Sequence, residues 1–148
     1  MTIPILKVLQ LVGERIEETM DVEVSTRFTR AEELGDVGDE PAYYVEPGGV
    51  EMERRNVGAA RQRYRVRAVS TEYVTNADYE ERAQTRAQFW ADVAYDFVSR
   101  PMLGNPLDNA FVLSTSAFPD APAGYSAEAL GEGVAALNAG IEVTVVID

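Results

Sequence analysis

Arg61-Gln62-Arg63-Tyr64-Arg65-Val66-Arg67-Ala68 is the stretch on which the fold turns. Tyr64, Val66 and Ala68 alternate with Arg63, Arg65 and Arg67. A period of two puts apolar side chains on one face of a strand and charged ones on the other. The pattern predicts a strand from Ala60 to about Tyr73, with Arg61, Arg63, Arg65 and Arg67 on one face about 6.8 Å apart. Val69 and Tyr73 fall on the same face as the arginines, so that face is not uniformly wet.

Just downstream the period changes. Thr75-Asn76-Ala77-Asp78 has the form of a capping box, and Glu80 and Glu81 suit the positive end of a helix. Tyr79, Ala83, Ala87, Trp90, Val93, Ala94 and Phe97 mark the inner face of that helix. Pro101 ends it at Arg100, so at 1.5 Å per residue it spans about 35 Å. Phe89 and Trp90 lie on adjacent faces, and only one can point squarely inward. The other is either rim of the core or an interface anchor.

Upstream, Ile5, Leu6, Leu9, Val12, Ile16 and Met20 recur at spacings of three and four. They predict an amphipathic helix from Ile3 to Thr19, with Pro4 in its first turn. A short extended segment, Val22 to Phe28, and a strand, Ala42 to Glu46, follow. Beyond the long helix, Ala110 to Ser116 and Ile141 to Ile147 read as strands. Acidic and glycine-rich composition predicts flexible loops near 29–41, 47–58 and 118–135. Neighbouring strands with short links favour antiparallel pairing. The expected fold is α+β, a single domain over 1–148, in which two helices pack on one face of a mostly antiparallel sheet.

The composition narrows the chemistry. The chain has 148 residues and no cysteine or histidine. Disulfides, thiolate metal sites, cysteine nucleophiles and histidine-based triads are therefore excluded. A formal net charge of −12 disfavours general nucleic-acid binding. Every basic residue except Lys7 is an arginine, a side chain whose planar fork suits packed interfaces. Lys7, Gln10 and the acids that follow do not read as a signal peptide, and no apolar run is long enough to cross a bilayer. The expected place of synthesis is the cytoplasm.

Other sites fare poorly. Asp36, Asp39 and Glu40 do not have the spacing of a calcium loop. No phosphate-cradling Gly-Lys-Ser/Thr motif occurs, and Gly131-Glu132-Gly133 does not sit between a strand and a helix. Glu80 and Glu81 are adjacent on a helix and point different ways. No catalytic, cofactor or metal residue is expected, and the chain reads as a non-enzyme. The candidate site is the arginine row: Arg61, Arg63, Arg65 and Arg67. It has three readings: cross-strand pairing with acids such as Glu142, a contact surface for an acidic patch on another subunit, or a nucleic-acid contact.

The order of elements then resembles a known family. An amphipathic N-terminal helix leads to Tyr43-Tyr44-Val45-Glu46-Pro47-Gly48-Gly49, to an arginine-rich strand from Arg61 to Val74, to the long helix with Phe89 and Trp90, and to Ile141-Glu142-Val143-Thr144-Val145-Val146. This pattern is similar to the tail terminator proteins of long-tailed bacteriophages, a family that also contains minor tail and tail-completion proteins. The resemblance implies a ring, hexameric in that family, that caps the head-proximal end of the tail tube. It implies three partners: further copies of the chain, the tail tube protein and the head–tail connector. DNA passes through such a ring, and its place is the virion. Closed rings need one patch to meet a different patch on the next copy. The alternatives are another neck or completion protein of the same machine, and an acidic DNA-mimic inhibitor. The second would need carboxylates spaced like phosphates, whereas here acids and arginines are mixed.

Overall fold

A computed structural model describes residues 5–26, 40–56, 59–104, 109–117, 125–131 and 134–147. The elements run α1 (Ile5–Met20), β1 (Val24–Thr26), β2 (Ala42–Asn56), β3 (Ala59–Thr75), α2 (Tyr79–Ser99), β4 (Ala110–Ala117), β5 (Tyr125–Gly131) and β6 (Val134–Ile147). The fold is α+β: the strands form one sheet in the order β1-β2-β3-β6-β4, with β5 also paired to β6. All pairings are antiparallel except β1 with β2.

The alternation in β3 sorts the sheet into two faces. Tyr64, Val66 and Ala68 are buried against the helices, and their partners across β6, Val145, Val143 and Ile141, are buried with them. β6 is long because it is central: β3 lies along one edge, while β5 and then β4 share the other. α1 packs over β1, β2 and β3, and α2 over β3, β6 and β4, so both helices cover the same face. Val8, Leu9, Val12 and Ile16 of α1 and Trp90, Val93 and Phe97 of α2 share one core with the sheet.

Four expectations need correcting. The stretch 47–56 is strand, not loop: β2 runs through Pro47-Gly48-Gly49 with a register shift between Pro47 and Gly49. A bulge on an outer strand accepts a proline that lacks an N–H, and Gly49 takes a φ of 149° that side-chain-bearing residues avoid. The second correction is at 125–131 and 134–135, which form a hairpin arm on β6 rather than loop. β6 is paired with β3 and with β5 at 134–135, and this pairing overrides the weak strand propensity of Ala and Gly there. Third, no capping box forms. Thr75 is the last residue of β3, 76–78 are a turn, and Asp78 stands at the N-cap without a side-chain cap bond. Fourth, the buried stripe of α1 includes Val8 and Leu11, while Leu6 is exposed. The extended segment 22–28 shows as strand only at Val24–Thr26, and 27–39, 57–58, 118–124 and 132–133 lie outside the described residues.

Two side chains of α1, Arg15 and Thr19, tie it to the end of α2, Thr19 donating to Asp96 Oδ2 at 3.0 Å. Arg15 of α1 donates to the carbonyls of Arg100 at 2.8 Å and Met102 at 2.6 Å, at the end of α2. Its guanidinium also lies 3.8 Å from Asp96 and 5.8 Å from the centre of the Phe97 ring. α2 has no basic residue in its own last turn, so Arg15 supplies from outside the positive charge that a helix C-terminus favours. Arg15→Ala is expected to cost about 1–3 kcal/mol, because two carbonyls lose a charged donor whose own side chain is 13% exposed. Urea unfolding followed by circular dichroism measures it, and a change under a few tenths of a kcal/mol would show that water replaces Arg15 freely.

Candidate assembly surface

The arginine row sits on the face of the sheet opposite the helices. Register decides its neighbours. Arg67 lies between Glu46 of β2 and Glu142 of β6, Arg65 between Gly49 and Thr144, Arg63 between Glu51 and Val146, and Arg61 opposite Glu53. The row thus runs beside a row of glutamates on β2. Arg65 pairs with Glu51 at 2.6 Å, one step along the diagonal, and Arg67 reaches Glu46 at 3.9 Å. Cross-strand pairing is therefore built in, chiefly toward β2. The Arg65 and Glu51 side chains are about half exposed, so water and salt screen the pair heavily.

The charged face changes character along β3. Arg65 is exposed, whereas Val69 and Thr71 are buried, and Tyr73 is exposed again. Thr71 donates to Asn138 Oδ1 at 2.7 Å across the strand pair. The arginines therefore occupy only the half of β3 that lies toward the β2–β3 turn.

A second charged cluster lies on the other face. The period of two places Ser70 and Glu72 inward with Tyr64, Val66 and Ala68, and Glu72 is fully buried. α2 supplies its counter-charges from positions four apart on one helix side: Arg82 Nη1 at 3.0 Å and Arg86 Nε at 3.4 Å. Arg86 also donates to the Tyr43 hydroxyl of β2. Burial pushes the Glu72 carboxyl above the usual carboxylate range, with Arg86 and then Arg82 pulling it back. Burial likewise raises the Tyr43 phenol against the pull of Arg86. Beside the cluster, Tyr43 stacks on Phe89 with ring centres 4.8 Å apart, and Trp90 donates to Ser70 Oγ at 2.9 Å. Trp90 is the residue that points inward, and Phe89 is rim of the core.

Reading the sequence for exposed charge missed Glu72, Arg82 and Arg86. The signal was present: the alternation that set the arginines outward also sets Glu72 inward. No protein-family model matches the chain, and no curated protein matches it. Among the described residues, no helix is long and apolar enough to cross a membrane. Of the rejected calcium candidates, Asp36 and Asp39 lie outside the described residues.

The two clusters differ in what they can do. The Glu72 cluster lies between sheet and helix, with Glu72 fully buried and Arg82 at its partly exposed rim, and it ties α2 to β3. In the arginine row Arg65 is exposed and Arg61, Arg63 and Arg67 are half-buried, and the exposed Arg65–Glu51 pair contributes little to stability. Such a pair can exchange partners at low cost, which is what a contact surface between subunits requires.

Proposed function

We propose that this chain is a structural virion protein. Copies of it form a ring that caps the head-proximal end of a phage tail tube, ends tube growth and joins tail to head connector. The arginine ladder carries the proposal: charged forks presented in a row on a sheet face that the helices leave open. The Arg65–Glu51 pair, with both side chains about half exposed, can re-form with acids of a neighbouring copy without a large desolvation cost. The α+β architecture is compatible with the element order that suggested the family. The mixing of arginine and glutamate on this face disfavours the DNA-mimic alternative, which needs an unbroken acidic ridge.

Charge reversal tests the proposal. Arg63→Glu with Arg65→Glu is expected to abolish ring formation, seen by light scattering of the chain alone and with tail tube protein. Arg65→Glu alone, at the exposed position, is expected to weaken assembly while keeping monomer stability within about 1 kcal/mol, whereas Arg63, half-buried beside the buried Val146, costs more. A double variant that assembles like wild type removes the row from the interface. One that unfolds makes the row internal scaffolding.

A further inference from the structure

The two strands of the longest hairpin outrun the rest of the sheet. β3 pairs with β6 only from Gln62 onward, and β1 flanks β2 only at Tyr43–Val45. The end of the hairpin, the arm, is two-stranded only at 53–56 and 59–61 among the described residues; at Val50 and Met52, β2 is the outer strand beside β3 and β6. On the side of the arm that continues the helix-covered face, Val50 and Met52 stand opposite Tyr64 and Gln62. Their exposures are 46% and 56%, so neither α1 nor α2 covers them. Large apolar side chains left exposed on an outer strand gain free energy when a partner covers them.

A second apolar surface lies elsewhere. Tyr95 and Val98 are a turn apart near the end of α2, with exposures of 76% and 60%, and Met102, just past the helix in a bridge to Phe111, is 51% exposed. Asp92, one turn earlier on α2, is exposed too. Charge separates the two surfaces in the same sense. Residues 50–65 carry five arginines and two glutamates, while the rest of the chain holds eight basic and 23 acidic residues. The arm is a positive projection on a strongly negative body.

We infer that the arm of one copy docks on the α2 end of the next copy, Val50 and Met52 covering Tyr95, Val98 and Met102. The occupant is a second copy of this chain, because the positive arm complements the acidic body that every copy carries. Giving and receiving patches differ, which is the geometry that closes rings rather than twofold dimers. The inference rests on the ring reading above and assigns its interface.

Because the chain has no cysteine, introduced thiols are the only ones present. Met52→Cys is mixed with Val98→Cys and oxidised, with Met52→Cys plus Gln10→Cys as the control pair, Gln10 being exposed on α1. The expected result is a disulfide-linked dimer from the 52–98 mixture well above the control. Val98→Glu, whose folding is checked by circular dichroism, is expected to weaken association on the order of tenfold or more. Cross-linking no better than the control, with Val98→Glu assembling like wild type, overturns the docking and leaves the ring reading standing. Efficient 52–98 cross-linking, with light scattering showing the wild-type chain to be no larger than a dimer at every concentration, supports the docking and overturns the ring. A chain that stays monomeric and uncross-linked at every concentration overturns both.

Discussion

Glu72→Ala is expected to cost the fold about 3–5 kcal/mol, seen as a lower urea midpoint in the fluorescence of Trp90, the single tryptophan. The carboxylate is fully enclosed, and Arg86, whose side chain is 11% exposed, has it as counter-ion. Removing the acid strands that guanidinium and opens a gap between β3 and α2. The cost belongs to the stranding more than to the pair. Glu72→Leu combined with Arg86→Met is therefore expected to recover most of the loss, since a buried pair exchanged for apolar side chains of similar size is often neutral. The pH dependence has a definite sign. Glu72 binds its proton more readily in the folded chain, because burial raises it above its ordinary value of 4.5 more than Arg86 and Arg82 lower it. Its contribution is fully present below that ordinary value and is lost as pH rises through the folded value. Glu72→Gln removes this dependence and keeps one oxygen for Arg82. The stability difference between wild type and Glu72→Gln is expected to move toward wild type as pH falls through the window. A difference that moves the other way would show that the two guanidiniums outweigh burial.

Period-two alternation in β3 and the helical spacing of Trp90, Val93 and Phe97 made the two-layer architecture legible, because both record which face is buried. Where the sequence misled, local composition competed with pairing. Pro47-Gly48-Gly49 carries a turn signal, yet β3 offers a continuous partner and the bulge absorbs the proline. Ala135, Ala136, Asn138 and Gly140 have little strand propensity, yet each lies in register with β3. Long-range pairing leaves no trace in a single segment. The candidate site was legible for the same reason as the fold: the arginines stand out against the alternation. Its partners were less so. Glu142 is at the expected register beside Arg67, but the glutamates that run along the row come from β2, and Glu51 and Glu53 among them lie in a stretch read as loop. Arg15 capping α2 was beyond reach, because a contact across 85 residues follows from the packed fold alone.

Phe97 and Val98 are neighbours whose substitutions are expected to fail in opposite ways. Phe97 is fully buried where α2 meets the shared core, and Val98 is 60% exposed one step around the helix. Phe97→Ala removes an aromatic ring from a close-packed place and leaves a cavity, which costs about 3–5 kcal/mol. It also removes the ring under Arg15, so part of the link between α1 and the end of α2 goes with it. Val98→Ala is expected to change monomer stability by less than about 0.5 kcal/mol, the usual range for an exposed position. Denaturant midpoints measure both, and sedimentation at matched concentrations reads assembly. The pair separates two roles of one helix: its inner side holds the monomer together, while its outer side has no folding reason to be apolar. Equal losses of stability at 97 and 98 would mean that Val98 belongs to the monomer core. Loss of assembly at 98 without loss of stability would mean that its apolar character serves a neighbouring copy.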